Sequence, residues 1–366
     1  MNVLRRTRPA DISAAGAAGE LLGAVRGALW PRLALGSVLL LAAALLGLAL
    51  GPTTIPLDDT VRILLSHLGI GSADNISAAS RTIVWDVRLP RVLLAGLVGA
   101  TLAMSGATYQ GVFRNPLADP YLIGVATGAA LGATIVVVSD VNVAWHGLSL
   151  LPLAAFSGAL TSVVVVYGVA RIGNTVPVTT LILAGVAVSA LSTAITTYLM
   201  IHNTSNAGLI FAVTLGGFNT ATWPKLLWVL PYAVPAAIVI LAHRRIINVL
   251  SLDEEQARFL GVDVERTKLL LLGVSSLAAA AAVSVGGTIG FVGLIVPHAI
   301  RLVWGPDNRH LLPMSMLLGG AFLITADILA RTLDRPAEIP VGIITAFCGV
   351  PFFLYLLRRA RTGAFW

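Results

Sequence analysis

The charged residues of this chain are spaced too far apart for a soluble protein. No Lys, Arg, Asp or Glu falls between Asp140 and Arg171, and none between Arg171 and Lys225. Each gap exceeds the roughly 20 helical residues that cross a bilayer. A water-facing surface cannot be built from such stretches, so a soluble enzyme, a disordered chain and a nucleic-acid binder are excluded. Composition agrees, because only 11% of the 366 residues are charged and 57% are hydrophobic, whereas soluble domains carry about 25% charge. Aromatic residues are few and glycines number 36, which suits helices that approach through small residues rather than a lipid-facing barrel. The expected fold class is all-α, a polytopic membrane protein.

Ten apolar runs follow one another: Leu33 to Leu50, Val92 to Val112, Tyr121 to Ser139, Leu150 to Ala170, Thr180 to Met200, Leu226 to Ala242, Leu269 to Val285, Gly286 to Val303, Leu311 to Leu329 and Pro340 to Leu357. This predicts a cytoplasmic tail over 1–32, a transmembrane domain over 33–357 and a second cytoplasmic tail over 358–366. The first run has no small-residue cleavage site behind a short apolar core, so it reads as a retained anchor. Leu269 to Pro297 is free of charge, too long for one upright helix and short for two. Gly286, Gly287, Gly290 and Pro297 predict a break there, in a place where other protein or a cavity covers the backbone. Thr204 to Thr220 is apolar but Gly-rich and reads as a short re-entrant or surface helix.

Lys and Arg divide unequally between the alternate sides. One side holds Arg5, Arg6, Arg8, Arg26, Arg32, Arg114, Arg171, Arg244, Arg245, Arg258, Arg266, Lys268, Arg301, Arg309, Arg358, Arg359 and Arg361. The other keeps Arg62, Arg81, Arg88, Arg91, Lys225, Arg331 and Arg335. The richer side is expected to be cytoplasmic, which puts both termini inside and accounts for the net charge of +7. Arg88 and Arg91 then stand on the outer side against this bias, as does Arg331, four residues after Asp327. Outer arginines can anchor at lipid headgroups or pair with acids on a partner, and an i,i+4 Asp–Arg pair can neutralise itself.

Several chemistries are ruled out by what is missing. ATP binding through a phosphate loop needs Gly-Lys-Ser/Thr, but the two lysines, Lys225 and Lys268, are each followed by Leu. Ser105-Gly106 and His298 lie in separate apolar helices, as a serine protease of the membrane would require, yet Ser-Gly is common at helix contacts and the usual upstream Gly is Ala103. His67, His146, His202, His243, His298 and His310 show no metal-ligand spacing. Cys348 stands alone in an apolar run, where a small packing residue is expected. No catalytic residue, metal site or cofactor is expected.

The loop after the sixth run is more informative. Ser251 with Glu254 three residues later reads as a capping box, predicting a short polar helix over about 251–261. Leu252, Ala257 and Leu260 are expected on its apolar side, with Gly261 ending it. A soluble partner could grip such a helix, or it could be a solvated connection.

Three blocks together resemble the FecCD family of ABC transporter permeases. They are Arg88-Leu-Pro-Arg91 followed by Ser105-Gly106 and Asn115-Pro-Leu-Ala-Asp-Pro120; Leu252 to Gly261; and Gly290-Phe-Val-Gly-Leu-Ile-Val-Pro-His-Ala-Ile-Arg301 with Ala326-Asp327, Arg331 and Glu338-Ile-Pro-Val-Gly342. The resemblance runs from about Val84 to Leu357. It implies a type II ABC importer permease fold in the inner membrane, with two copies of the permease forming the pathway. A dimer of ABC ATPase subunits would supply the energy, and an external substrate-binding protein would deliver the ligand. It further implies that Arg88, Arg91 and Arg331 dock the binding protein, that Asn115, Pro116 and Leu117 form the cytoplasmic gate, and that Leu252, Ala257, Leu260 and Gly261 belong to the helix that engages the ATPase. Thr193, Thr196 and Thr197 are candidate pathway hydroxyls. The expected cargo is a bulky metal chelate: a ferric siderophore first, cobalamin or haem second. The rival reading is a stand-alone channel or membrane enzyme.

Overall fold

Ten helices make up most of the computed structural model, which describes residues 29–141, 144–145, 148–173, 175–252 and 254–360. They are α1 Leu29–Ala49, α2 Leu89–Phe113, α3 Val125–Val138, α4 Leu150–Ala170, α5 Val178–His202, α6 Trp223–Ala242, α7 Val264–Gly286, α8 Val292–Trp304, α9 Asn308–Ala330 and α10 Val341–Ala360. By length and composition α1, α2, α4, α5, α6, α7 and α9 can each cross a membrane, and α3, α8 and the apolar part of α10 are shorter. The expectations for Arg5, Arg6, Arg8, Arg26, His146 and Arg361 fall outside the described residues.

The helix ends follow local chemistry. Ala78–Thr82 and a π-helical turn, Ile83–Arg88, run straight into α2. Pro90 sits in the first turn of α2, where a missing N–H costs nothing. Arg114 stops α2 with a left-handed φ of 51°. Asp307 starts α9 by accepting the Arg309 N–H at 2.9 Å.

Helices α2, α7 and α9 are mostly buried, and α1, α4, α5 and α6 surround them with at most a third of each buried. Glycines let the central helices touch backbone to backbone. A Cβ at Gly99 of α2 would lie 2.3 Å from the Gly319 carbonyl oxygen of α9, and one at Gly106 of α2 would lie 2.1 Å from that of Gly293 in α8. No side chain fits at either place.

The break expected after the seventh span lies over residues 287–291, between α7 and α8. Its backbone groups are satisfied from other segments, as non-helical backbone away from water requires. The Tyr121 hydroxyl donates to the Ile289 carbonyl at 2.8 Å and accepts the Ile289 N–H at 3.2 Å. The Gly286 carbonyl accepts from Gly217 N–H at 2.8 Å. Gly217 follows the short helix Ala207–Leu215, which is the element anticipated within Thr204 to Thr220.

Beyond the α1 and α2 ends, residues 50–77 fold into a small cap with the helix Leu57–His67. Ile55, Ile63, Ala73, Ile76 and Val84 form its own apolar cluster, and the His67 ring stacks on Trp85 at 3.8 Å.

Two local expectations are corrected. Cys348 is exposed, not packed, because it lies on the face of α10 that also exposes Phe347. The polar helix is shorter than expected, Glu254–Phe259. Ser251 instead closes the preceding helix Arg244–Leu250, its hydroxyl bonding the Ile247 and Asn248 carbonyls at 3.0 and 2.9 Å.

Candidate functional site

Helix α2 has one group of expected site residues at each end. At its start, Arg88 and Arg91 meet Arg331 from the end of α9, and all three are buried, with exposures of 3%, 8% and 2%. Arg91 is the hub. Its guanidinium lies 2.8 Å from Asp327 at the closest atoms and reaches Glu338 at 3.0 and 3.1 Å. Arg331 approaches Asp327 less closely, at 3.4 Å, and donates to the Gly47 carbonyl at 2.6 Å. The expected local pair between Asp327 and Arg331 is therefore secondary to the long-range pair with Arg91. Arg88 donates to the Leu48 and Ala49 carbonyls at 2.7 and 2.8 Å and to both oxygens of Thr53.

The arginines thus tie the ends of α1, α2 and α9 and the segment around Glu338 into one knot. Buried carboxylates need such partners, since an unpaired buried charge is strongly destabilising. Three cations face two carboxylates, so the knot keeps a net positive charge. Sequence reading placed these arginines at the membrane edge but missed their inward direction. Asp327 and Glu338 carried the signal, being acids on the same side of the chain as these arginines.

At the other end of α2, Asn115, Pro116 and Leu117 form a tight, half-buried loop. The Asn115 side chain accepts the Leu117 N–H at 2.9 Å, and its backbone N–H returns to the Gln110 carbonyl at 3.2 Å. Asn and Pro are the residue types that stabilise such turns. Arg114, just before the loop, donates to the Leu252 carbonyl at 3.2 Å. The loop therefore touches the segment that leads into the polar helix.

Within that helix the expected apolar side is divided. Ala257 is fully buried, whereas Leu252 and Leu260 are exposed, and Phe259, which the sequence reading passed over, is 88% exposed. Ala257 seats the helix on the body of the protein, and Phe259 and Leu260 project from it. Gly261 ends it in the left-handed region at φ 82°.

A second knot holds this end. The Asn248 amide donates to Asp307 at 2.6 Å, and its oxygen accepts both Asn308 N–H groups, backbone and side chain, at 2.8 Å. Burial raises the Asp307 carboxyl, but the Arg309 N–H and the Asn248 amide outweigh it and hold the group below the usual carboxylate range. Asn248 had no motif to mark it.

The candidate pathway hydroxyls do not share a surface. Thr193 and Thr197 are exposed on α5, while Thr196 turns into the protein, where its hydroxyl is buried without a hydrogen-bond partner. Ser105 is occupied by the Ser275 carbonyl at 3.3 Å, and His298 packs against Phe352. Among the described residues no group of His, Cys, Asp and Glu is arranged to hold a metal.

Comparison with known proteins gives this architecture a context. The chain is 48% identical over 289 residues to the cobalamin import system permease protein BtuC of Halobacterium salinarum, covering 79% of this chain and 77% of the relative. It is 41% identical over 322 residues to the hemin transport system permease protein HmuU of Yersinia pestis, covering 82% and 94%. A solved structure described as an inward-facing conformation of a proposed metal-chelate type ABC transporter matches with a TM-score of 0.76 and 32% identity, covering 89% of this chain and 98% of that one. The model of the FecCD transport family matches residues 39–359, nearly the whole described structure, and the chain belongs to that family.

Proposed function

We propose that this chain is the membrane permease subunit of an ATP-driven importer that moves a metal chelate into the cytoplasm. ATP is hydrolysed by a separate ABC ATPase, and the permease itself is not an enzyme. One observation carries the reading: α2 joins the arginine knot at one end to the Asn115–Leu117 loop and the Phe259-bearing helix at the other. A receiving face and a driven face are thus two ends of one rod, which a stand-alone channel or membrane enzyme has no reason to possess.

The arginine face is outward and receives an acidic substrate-binding protein, its net positive charge favouring acidic groups. The opposite face is cytoplasmic, as the surplus of Lys and Arg there supports, so both termini lie inside the cell membrane. Phe259, Leu260 and Leu252 enter the ATPase, with Ala257 and Gly261 shaping the helix that presents them. Asn115, Pro116 and Leu117 close the pathway on that side. Two copies assemble around the pathway through the largely exposed faces of α5 and α10, where Leu191, Ile195, Phe347 and Leu354 are exposed. Thr193 and Thr197 face this space; Thr196 does not.

Relatives named for cobalamin and hemin transport support a cargo that travels as an intact chelate. A ferric siderophore is the cargo expected from the sequence, and the 48% identity to a permease named for cobalamin favours cobalamin as the second reading. Uptake into proteoliposomes containing the permease, its ATPase and its binding protein tests the function. ATP-dependent accumulation of one chelate supports it, and chelate flux that ignores ATP and the binding protein overturns it.

A further inference from the structure

Pro297 lies inside α8. A proline there has no N–H to donate, so the carbonyl four residues earlier, that of Gly293, loses its helical partner. The missing bond is supplied from another helix: the Gln110 side-chain amide of α2 donates to the Gly293 carbonyl at 3.0 Å. The oxygen of the same amide accepts from Arg301, two turns further along α8. The Gln110 backbone carbonyl accepts the Asn115 N–H at the root of the loop. Gln110 is 3% exposed.

One residue therefore holds both halves of α8 and the start of the 115–117 loop. We propose that Gln110 is a positioning residue that sets the resting place of the gate loop by locking it to α8. This rests on the reading of Asn115 to Leu117 as the gate. Arg301 completes the lock: its guanidinium donates to the Gln110 amide oxygen, and among the described residues no carboxylate forms a salt bridge with it. The network reaches the driven end as well, since α8 runs through residues 305–307 to Asp307, which Asn248 grips beside the polar helix.

Filling a bare carbonyl would be a purely structural duty, and Pro297→Ala separates that duty from positioning. It returns a helical donor to Gly293 and relieves the Gln110 amide nitrogen of that duty, leaving the bond from Arg301 to the amide oxygen in place. The experiment uses the full chain with Cys348→Ala and a single reporter, Leu117→Cys, assembled with its ATPase in nanodiscs and labelled with a water-soluble maleimide. A second reporter, Ser139→Cys at the far end of α3, serves as control. Gln110→Leu should speed labelling at 117 about tenfold, the ratio for one or two lost hydrogen bonds, and leave labelling at 139 unchanged. Adding Pro297→Ala to Gln110→Leu should recover the part of the melting temperature lost with the Gly293 bond while labelling at 117 stays fast, because Arg301 still lacks its acceptor. This double variant also keeps the test available if Gln110→Leu alone does not fold.

Slow labelling in the double variant would reduce Gln110 to a helix repair and overturn the proposal. So would equal labelling rates with Leu and Gln at 110. The chain with Gln110 intact reports on the underlying reading, because its labelling at 117 must change between nucleotide-free and ATP-bound complexes. If it does not, residues 115–117 are not the gate and both readings fail. If it does change, and Gln110→Leu has no effect, only the lock fails.

Discussion

Arg91 and Asp327, 236 positions apart in the chain, form a buried pair in which the arginine Nε bonds both carboxylate oxygens at 3.1 and 3.0 Å. This pair fastens the start of α2 to the end of α9 on the face proposed to receive the binding protein. Removing Asp327 leaves Arg91 with Glu338 alone and Arg331 with no carboxylate partner among the described residues, and an uncompensated buried charge costs about 3–5 kcal/mol. Asp327→Ala should therefore lower the melting temperature of the detergent-purified permease sharply. The double variant Arg91→Met with Asp327→Leu should lose less than the two single variants summed, and strictly additive losses would show that the pair is not coupled.

Docking separates from folding at Arg88. Its partners are backbone carbonyls and Thr53, so of the three arginines it is the one without a carboxylate ion pair among the described residues. Arg88→Gln keeps donors for those carbonyls and removes the charge. Association with the binding protein should slow several-fold and lose part of its salt dependence, measured by surface plasmon resonance, because the long-range attraction of a net positive face acts chiefly on association rate. Retention of the ATPase by the same variant should be unchanged.

Phe259 makes the clearest prediction at the driven face. An aromatic side chain 88% exposed beside a buried Ala257 has the form of an interface anchor. Phe259→Ala should weaken ATPase binding by about tenfold, near 1.4 kcal/mol, without changing the melting temperature of the isolated permease. Ala257→Leu should do the reverse of this separation, disturbing the permease itself because no space surrounds residue 257.

Asp307 predicts a pH dependence. Its carboxyl is held below the usual range in the folded protein, so its contribution is present above the ordinary carboxylate value and lost as pH falls through the lower folded one. Asp307→Ala removes an N-cap worth about 1 kcal/mol and frees Asn248. The melting temperatures of the wild-type and variant permeases should differ at pH 7 and converge in strong acid. A constant difference across that range would assign the effect to packing.

The spans were the most legible part of the sequence. Leu150–Ala170 is read to the residue because it is apolar throughout, flanked by a serine and an arginine, and needs no partner to be recognised. The break at 287–291 was legible from its glycines, but the Tyr121 hydroxyl that satisfies it was not, since Tyr121 lies 168 positions away. Arg88, Arg91 and Arg331 stood out as outer cations, yet their direction depends on Asp327 and Glu338, and long-range pairing leaves no periodic trace. Gln110 was invisible for the same reason. Pro297 announces an orphaned carbonyl, but only the structure says which helix faces it. Ser251 shows the opposite failure: a satisfactory local cap pattern was outweighed by the helix already ending at Leu250.

The glycine contacts of α2 divide the molecule mechanically. With Gly99 pressed on Gly319 and Gly106 on Gly293, α2 cannot slide along α9 or α8 without driving main-chain atoms through one another. These three helices consequently move as one unit, and the same close fit recurs where α5 and α10 meet the body of the protein: a Cβ at Gly185 would lie 1.9 Å from the Leu122 carbonyl oxygen, and one at Gly342 would lie 2.2 Å from that of Leu215. Sequence drift should follow the same line: even a methyl group is forbidden in these glycine seams, while the exposed faces of α5 and α10 tolerate changes of size so long as they remain apolar.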